Sequence, residues 1–138
     1  MNLFTNNTYL YTAKIIKCIY KAGKMKIEEI CSVLNGELVC GSDKSQRDVT
    51  HAFASDLMSD VLTVNCSNLL LITGLANLQT IRTAEMSDID CILFVRNKSV
   101  TPEMKKLAEE LGMALITCPS TMFRASGELY RAGMKPLF

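Results

Sequence analysis

The sequence predicts an α/β fold, a small three-layer domain with a mainly parallel sheet and βα repeats. Three observations predict it. Between Leu69 and Pro119 three short apolar runs, LLLIT, CILFV and ALIT, are separated by two longer stretches. Each run has four or five aliphatic, β-branched or aromatic residues with no polar alternation, as expected of strands covered on both faces, and such strands are parallel. The stretches between them, Asn77 to Met86 and Pro102 to Leu111, carry helical spacing, so each strand-helix-strand unit is a right-handed crossover within one sheet.

The chain has 138 residues, 49% of them apolar, enough for a single domain that buries its core without disulfides or metals. Its formal net charge of +1 gives no electrostatic reason to expect nucleic acid or an acidic membrane surface. The charge is uneven. Residues 1–24 hold Lys14, Lys17, Lys21 and Lys24 and no acid; removing those four from fifteen basic residues leaves eleven against fourteen acids, a net −3 for the rest. Six cysteines, at 18, 31, 40, 66, 91 and 118, are scattered singly beside one histidine. That pattern spells out neither a zinc site nor a Cys-x-x-Cys redox pair and reads as reduced thiols in a cytoplasmic protein. No apolar run reaches the roughly eighteen residues of a membrane span, and no cleaved signal peptide is expected.

Taken in order, residues 1–24 form an extension unlike the remainder, with TYLYTAKIIKCIYK as a short basic amphipathic segment. Two readings stand: a surface or partner arm, or a segment outside the native product, which would then begin at Met25. The second is preferred, because Lys21-Ala22-Gly23-Lys24 is a peptide that a purine-rich ribosome-binding sequence could encode. The domain proper is 25–138. A helix is expected to begin at Met25: KIEEICSVLNG places Ile27, Ile30, Cys31 and Leu34 on one face, with Glu28 and Glu29 at the start and Asn35-Gly36 as the stop. GELVCG reads as an edge strand and SDKSQRD as a polar loop. Val49 to Phe53 reads as a strand entering the sheet, which puts Ser55 and Asp56 at its end, where open α/β sheets bind ligands; equally, Ser55 could cap a short helix after it. His51, with no carboxylate or cysteine at motif spacing, reads as structural.

Thr73-Gly74 ends the next strand, and Asn77 is an N-cap for a helix that turns Leu78, Ile81 and Ala84 to the sheet and Thr80, Arg82 and Thr83 elsewhere. A helix start after a glycine turn offers N–H groups to an anion, though one glycine is no phosphate fingerprint. Cys91 to Val95 runs into Arg96-Asn97-Lys98 at the same predicted sheet edge. Thr101-Pro102-Glu103 is a helix start with a cap, a first-position proline and a first-turn acid, and Met104, Leu107, Ala108 and Leu111 are its buried stripe. After Ala114 to Thr117, Ser120 or Thr121 caps a final helix reaching about Ala132. Lys135 to Phe138 reads as a tail.

From Met25 to Gly133 the chain resembles stand-alone DRTGG-domain proteins of bacteria and archaea. The resemblance is carried by MKIEEICSVLNGELVCG, AFASDLMSDVL, LLLITGL, IRTAEMSDIDCILFVRNK and LAEELGMALITCPSTMFRASGELYRAG. One departure is Ile72-Thr73-Gly74-Leu75, which stands where a Thr-Gly-Gly type turn is expected. The family is similar to the N-terminal domain of HPr kinase/phosphorylase and, more distantly, to that of Mur ligases, whose Ser-Asp or Asp-Ser pair after a strand resembles Ser55-Asp56. The resemblance implies a regulatory or oligomerisation module, since DRTGG domains accompany CBS domains, family II pyrophosphatases and phosphotransacetylases. Small members encoded near iron-only hydrogenases imply a role in energy or redox metabolism. It does not imply kinase activity: none of the seven glycines falls in a Gly-x-x-x-x-Gly-Lys-[Ser/Thr] loop.

The function expected is a non-catalytic regulatory module binding a small anionic metabolite or nucleotide at the strand ends through Ser55, Asp56, Thr73, Gly74, Asn77, Arg96 and Thr121. No cofactor or metal is called for. The alternative is a homodimer or a docking protein for a regulatory or metabolic enzyme, with Met58, Leu62, Met86, Met122, Phe123 and Met134 as adaptable apolar contacts. An enzyme is least expected, because His51 is the only imidazole able to serve as a base.

Overall fold

A computed structural model describes residues 23–138; the expected extension, up to residue 22, lies outside the described residues. The three apolar runs are the strands β5 (Leu69–Thr73), β6 (Cys91–Phe94) and β7 (Ala114–Thr117). All but Thr117 of their residues are buried, which is why they show no alternation. With β2 (Glu37–Cys40), β4 (His51–Ala54) and β8 (Lys135–Pro136) they form a six-stranded sheet in the order β2-β7-β6-β5-β4-β8. All neighbours are parallel except β2 against β7. A separate antiparallel pair joins β1 (Met25–Lys26) to β3 (Asp48–Val49).

Helices cover both faces, giving the three layers expected. On one face Leu70, Ile72, Leu93 and Ile116 meet α1 (Ile27–Leu34) and α5 (Met122–Arg131). On the other, Leu71, Ile92, Phe94 and Leu115 meet α2 (Met58–Val61), α3 (Leu78–Met86) and α4 (Pro102–Glu110). The predicted caps are in place: Asn77 Oδ1 accepts from Thr80 N at 2.9 Å, Thr101 Oγ1 from Met104 N at 3.2 Å and Thr121 Oγ1 from Arg124 N at 3.3 Å. Gly41, at φ +84, lies so close to β7 that a Cβ would sit 2.9 Å from the Ala114 Cα, so glycine lets the antiparallel edge strand close.

Four local expectations are corrected. Val49 to Phe53 is not one strand. Val49 pairs with Met25 and points into the core, and the main-sheet strand begins only at His51, after Thr50 N has bonded Asn68 O at 2.9 Å. The helix from Met25 starts two residues late, at Ile27, because Met25–Lys26 are drawn into that pairing. Leu78 is 45% exposed while Thr80 and Thr83 are buried, since the Thr80 hydroxyl donates to the Asn77 cap and is thereby satisfied inside. Lys135–Pro136 is not a tail but the parallel edge strand β8, aligned with His51 and Ala52.

At the opening of β6 the Arg47 guanidinium grips Asp90 through two nitrogens, and this bond, against partial burial, raises the Arg47 pKa above its ordinary value. Arg47 O also accepts from Ile27 N at 3.1 Å and Asp90 O from Ala114 N at 2.8 Å, so the pair ties the β1–β3 layer to the sheet. Asp90→Ala is expected to cost about 1 kcal/mol, as for a two-point pair that is half exposed. Urea unfolding of both single variants and the double Arg47→Ala/Asp90→Ala variant checks this. Strict additivity would mean that the pair is uncoupled.

Candidate functional site

Parallel strands all end on one edge, so the loops after β4, β5 and β6 meet there by topology. Ser55 N extends the ladder by donating to Ile72 O at 3.0 Å, which places Asp56 beside the end of β5. One oxygen of its carboxylate, Oδ1, accepts from Gly74 N at 2.7 Å and from the Thr73 hydroxyl at 3.0 Å; the same hydroxyl oxygen accepts from Leu75 N at 3.2 Å. A carboxylate bound by a backbone N–H and a buried hydroxyl fixes the turn that ends β5.

Arg96 is placed by its backbone. Arg96 and Asn97 both adopt left-handed conformations, φ 62 and φ 56; asparagine tolerates this but arginine rarely adopts it. Two bonds to the loop after β7 hold them there: Arg96 N to Ser120 O at 2.7 Å and Asn97 N to Cys118 O at 2.9 Å. The side chain is thereby thrown across Gly74, where a Cβ would lie 2.8 Å from Nη2 and 3.3 Å from Nε. Glycine at this position is what lets the guanidinium lie on the backbone. Among the described residues the Arg96 side chain forms no ion pair and no hydrogen bond, and it is exposed. Such a backbone outlier aiming an uncommitted cation at a strand edge is where anion binding is sought.

The structure brings Ser55, Asp56, Thr73, Gly74 and Arg96 to this edge. Their roles differ. The Ser55 oxygen accepts from Leu57 N at 3.0 Å within its own turn; it does not cap α2, whose N-cap is Leu57. Asn77 and Thr121 spend their side-chain oxygens on capping α3 and α5. The contacts that sequence reasoning missed are the carbonyls of Ser120 and Cys118 that bend the Arg96 loop, and only their position after a parallel neighbour hinted at them. His51 Nδ1 lies 2.9 Å from its neighbour's Thr50 Oγ1. It opens β4 while Ser55 follows the strand, four residues or about 13 Å further on, so this imidazole does not stand beside that hydroxyl. Among the described residues no cluster of three or more His, Cys, Asp or Glu side chains is arranged for a metal ion. No helix there is long and apolar enough to cross a membrane.

No curated protein matches. The fold is similar to that of the solved CBS and DRTGG domains of the regulatory region of a Clostridium perfringens pyrophosphatase, determined with its activator diadenosine tetraphosphate, with a TM-score of 0.67 at 14% identity. The match covers 91% of this chain and 56% of that one, so the chain spans about half the length of that solved regulatory fragment. The DRTGG domain model matches residues 29–132, three quarters of the sequence. The chain therefore belongs to the DRTGG-domain family.

Proposed function

We propose that this protein is a non-catalytic regulatory module that binds a small anionic metabolite, a nucleotide in particular, at the C-terminal ends of β4, β5 and β6. The observation that carries the reading is Arg96: a left-handed residue whose free guanidinium lies over Gly74 at the strand edge. Asp56 and Thr73 act as braces for that turn rather than as anion contacts, since Asp56 Oδ1 and the Thr73 hydroxyl are already bonded to each other and to Gly74 N and Leu75 N, and a carboxylate repels an anion. The similar pyrophosphatase region was solved with a dinucleoside polyphosphate activator, and this supports a nucleotide over other anions. The resemblance to HPr kinase extends only to its N-terminal domain, so no phosphoryl transfer is proposed. The proposal extends to a cytoplasmic setting, supported by the scattered single cysteines, and to energy or redox metabolism near hydrogenases, supported by the family resemblance.

A thermal-shift screen of the full chain against adenine, guanine and uridine nucleotides, acetyl phosphate and sugar phosphates tests the reading. A ligand at a hundred times its Kd stabilises by about 2.7 kcal/mol, which raises the Tm of a domain this size by roughly ten degrees. No shift across the panel would sink the reading.

A second reading, partner docking or self-association, is favoured by one observation. On α5, Phe123 is 91% and Tyr130 69% exposed, on either side of the exposed Gly127. Of the other apolar contacts expected, Leu62 and Met86 are exposed and Met134 is buried in the core. A strictly monomeric mass by light scattering at high concentration would remove self-association.

A further inference from the structure

Opposite charges flank Gly74 without meeting. From the β4 side Asp56 Oδ1 accepts from Gly74 N at 2.7 Å, and from the β6 side Arg96 Nη2 lies 2.8 Å from where a Gly74 Cβ would stand. The carboxylate and the guanidinium thus lean on one residue, yet among the described residues no ion pair joins them. Asp56 spends only one of its two oxygens. Both of its hydrogen bonds are made by Oδ1, while Oδ2 has no partner among the described residues and the residue is exposed. A carboxylate so placed opposes the anion that Arg96 would hold, a repulsion worth roughly tenfold in affinity. The opposition is removed if a cation stands between the two negative groups.

We infer that the nucleotide enters as its magnesium complex, with the cation between Asp56 Oδ2 and the phosphates that Arg96 pairs, an inference that rests on the strand-end reading proposed above. Magnesium suits this arrangement. It is ordinarily held by one or two carboxylates plus the phosphates of the ligand, and it keeps water in its remaining positions instead of demanding a cage of protein ligands. The described residues offer no such cage, so the metal arrives with the nucleotide. A di- or triphosphate has oxygens enough for both the cation and Arg96, whereas a monophosphate chelates magnesium weakly. An ammonium group in place of the metal would form an exposed one-to-one pair with the carboxylate and add little.

Calorimetric titration of the full chain with ADP, ATP, GDP and GTP, in millimolar magnesium and again in EDTA, tests this. A site built on Arg96 alone prefers the free nucleotide, because magnesium cancels part of the charge that the guanidinium attracts; a site that also uses Asp56 prefers the complex. The wild type binds at least one of the four about tenfold tighter in magnesium. Asp56→Asn keeps an oxygen for Gly74 N and the Thr73 hydroxyl but replaces the free oxygen by an NH2 group that cannot ligate a metal. In that variant the preference inverts: affinity in EDTA rises several-fold as the repulsion goes, and magnesium weakens binding. A purely structural role for Asp56 would instead lower both affinities together. Equal or weaker binding by the wild type in magnesium would overturn the bridge and, if Arg96→Ala still lost affinity in EDTA, leave the strand-end site standing. A magnesium preference unchanged in Asp56→Asn would also overturn it. Absence of binding in both media would overturn the bridge together with the reading on which it rests. Should Asp56→Asn fail to fold, the manganese complex decides: bound manganese broadens the amide NMR signals of Asp56 and Gly74 first, and signals left sharp would overturn the bridge.

Discussion

Stability is expected to fall steeply once the pH rises above 9, and Cys91 is the main cause. Its side chain is fully buried at the start of β6, and burial pushes its thiol from an ordinary 9.0 up to about 12. In the unfolded chain the same thiol ionises near 9. The stabilising contribution is therefore whole below pH 9 and is lost progressively as the pH climbs from 9 through 12, because only the unfolded state releases the proton. Three pH units correspond to about 4 kcal/mol, a large part of the stability of a small domain. Cys31, Cys40 and Cys118 are raised in the same direction by burial and add to the trend. Cys91→Ala removes the buried thiol and with it most of this pH dependence, at a cost of about 1 kcal/mol for the small void left at neutral pH. Urea unfolding at pH 7, 9 and 10.5 should show the wild type losing more stability than Cys91→Ala, with the order of the two reversing. Parallel curves would contradict the assignment.

Asp56→Ala is expected to lower stability by about 2 kcal/mol and the Tm by roughly eight degrees. The size follows from what is stranded. Thr73 is fully buried, and its hydroxyl and Gly74 N lose their shared charged acceptor together. Because Asp56 itself is exposed, water replaces part of the loss, which keeps the figure below that of two fully buried charged bonds. Asp56→Asn keeps an acceptor oxygen and should recover about half, whereas Thr73→Val, which removes only the hydroxyl, should cost about 1 kcal/mol. Differential scanning calorimetry separates these cases. A change of less than about 0.5 kcal/mol in Asp56→Ala would mean that the turn holds without its brace.

What was legible in the sequence is what local chemistry decides. The continuous apolar runs of β5, β6 and β7 announced themselves because helices cover them on both sides, and Asn77, Thr101 and Thr121 announced helix starts because a cap acts within three residues. The strand β8 was illegible for the converse reason: Lys135 and Pro136 are exposed and join the sheet through backbone pairing with β4, some eighty residues back. At the candidate site, the chain order of ligand-type residues was readable, but their partnerships were not. Asp56 and Thr73 are seventeen residues apart, and nothing about Arg96 in isolation foretells a left-handed backbone, which is imposed by carbonyls of Cys118 and Ser120 across the loop.

Arg96, held over Gly74, is the proposed anion contact of this DRTGG domain. Its most direct test is a low-salt titration of the full chain and of Arg96→Ala with whichever nucleotide gives the largest thermal shift. Saturable binding to the wild type is expected to weaken about tenfold in Arg96→Ala and to lose its steep salt dependence there, while the substitution leaves the Tm of the free protein unchanged. Equal affinity and equal salt dependence in the two proteins would contradict it.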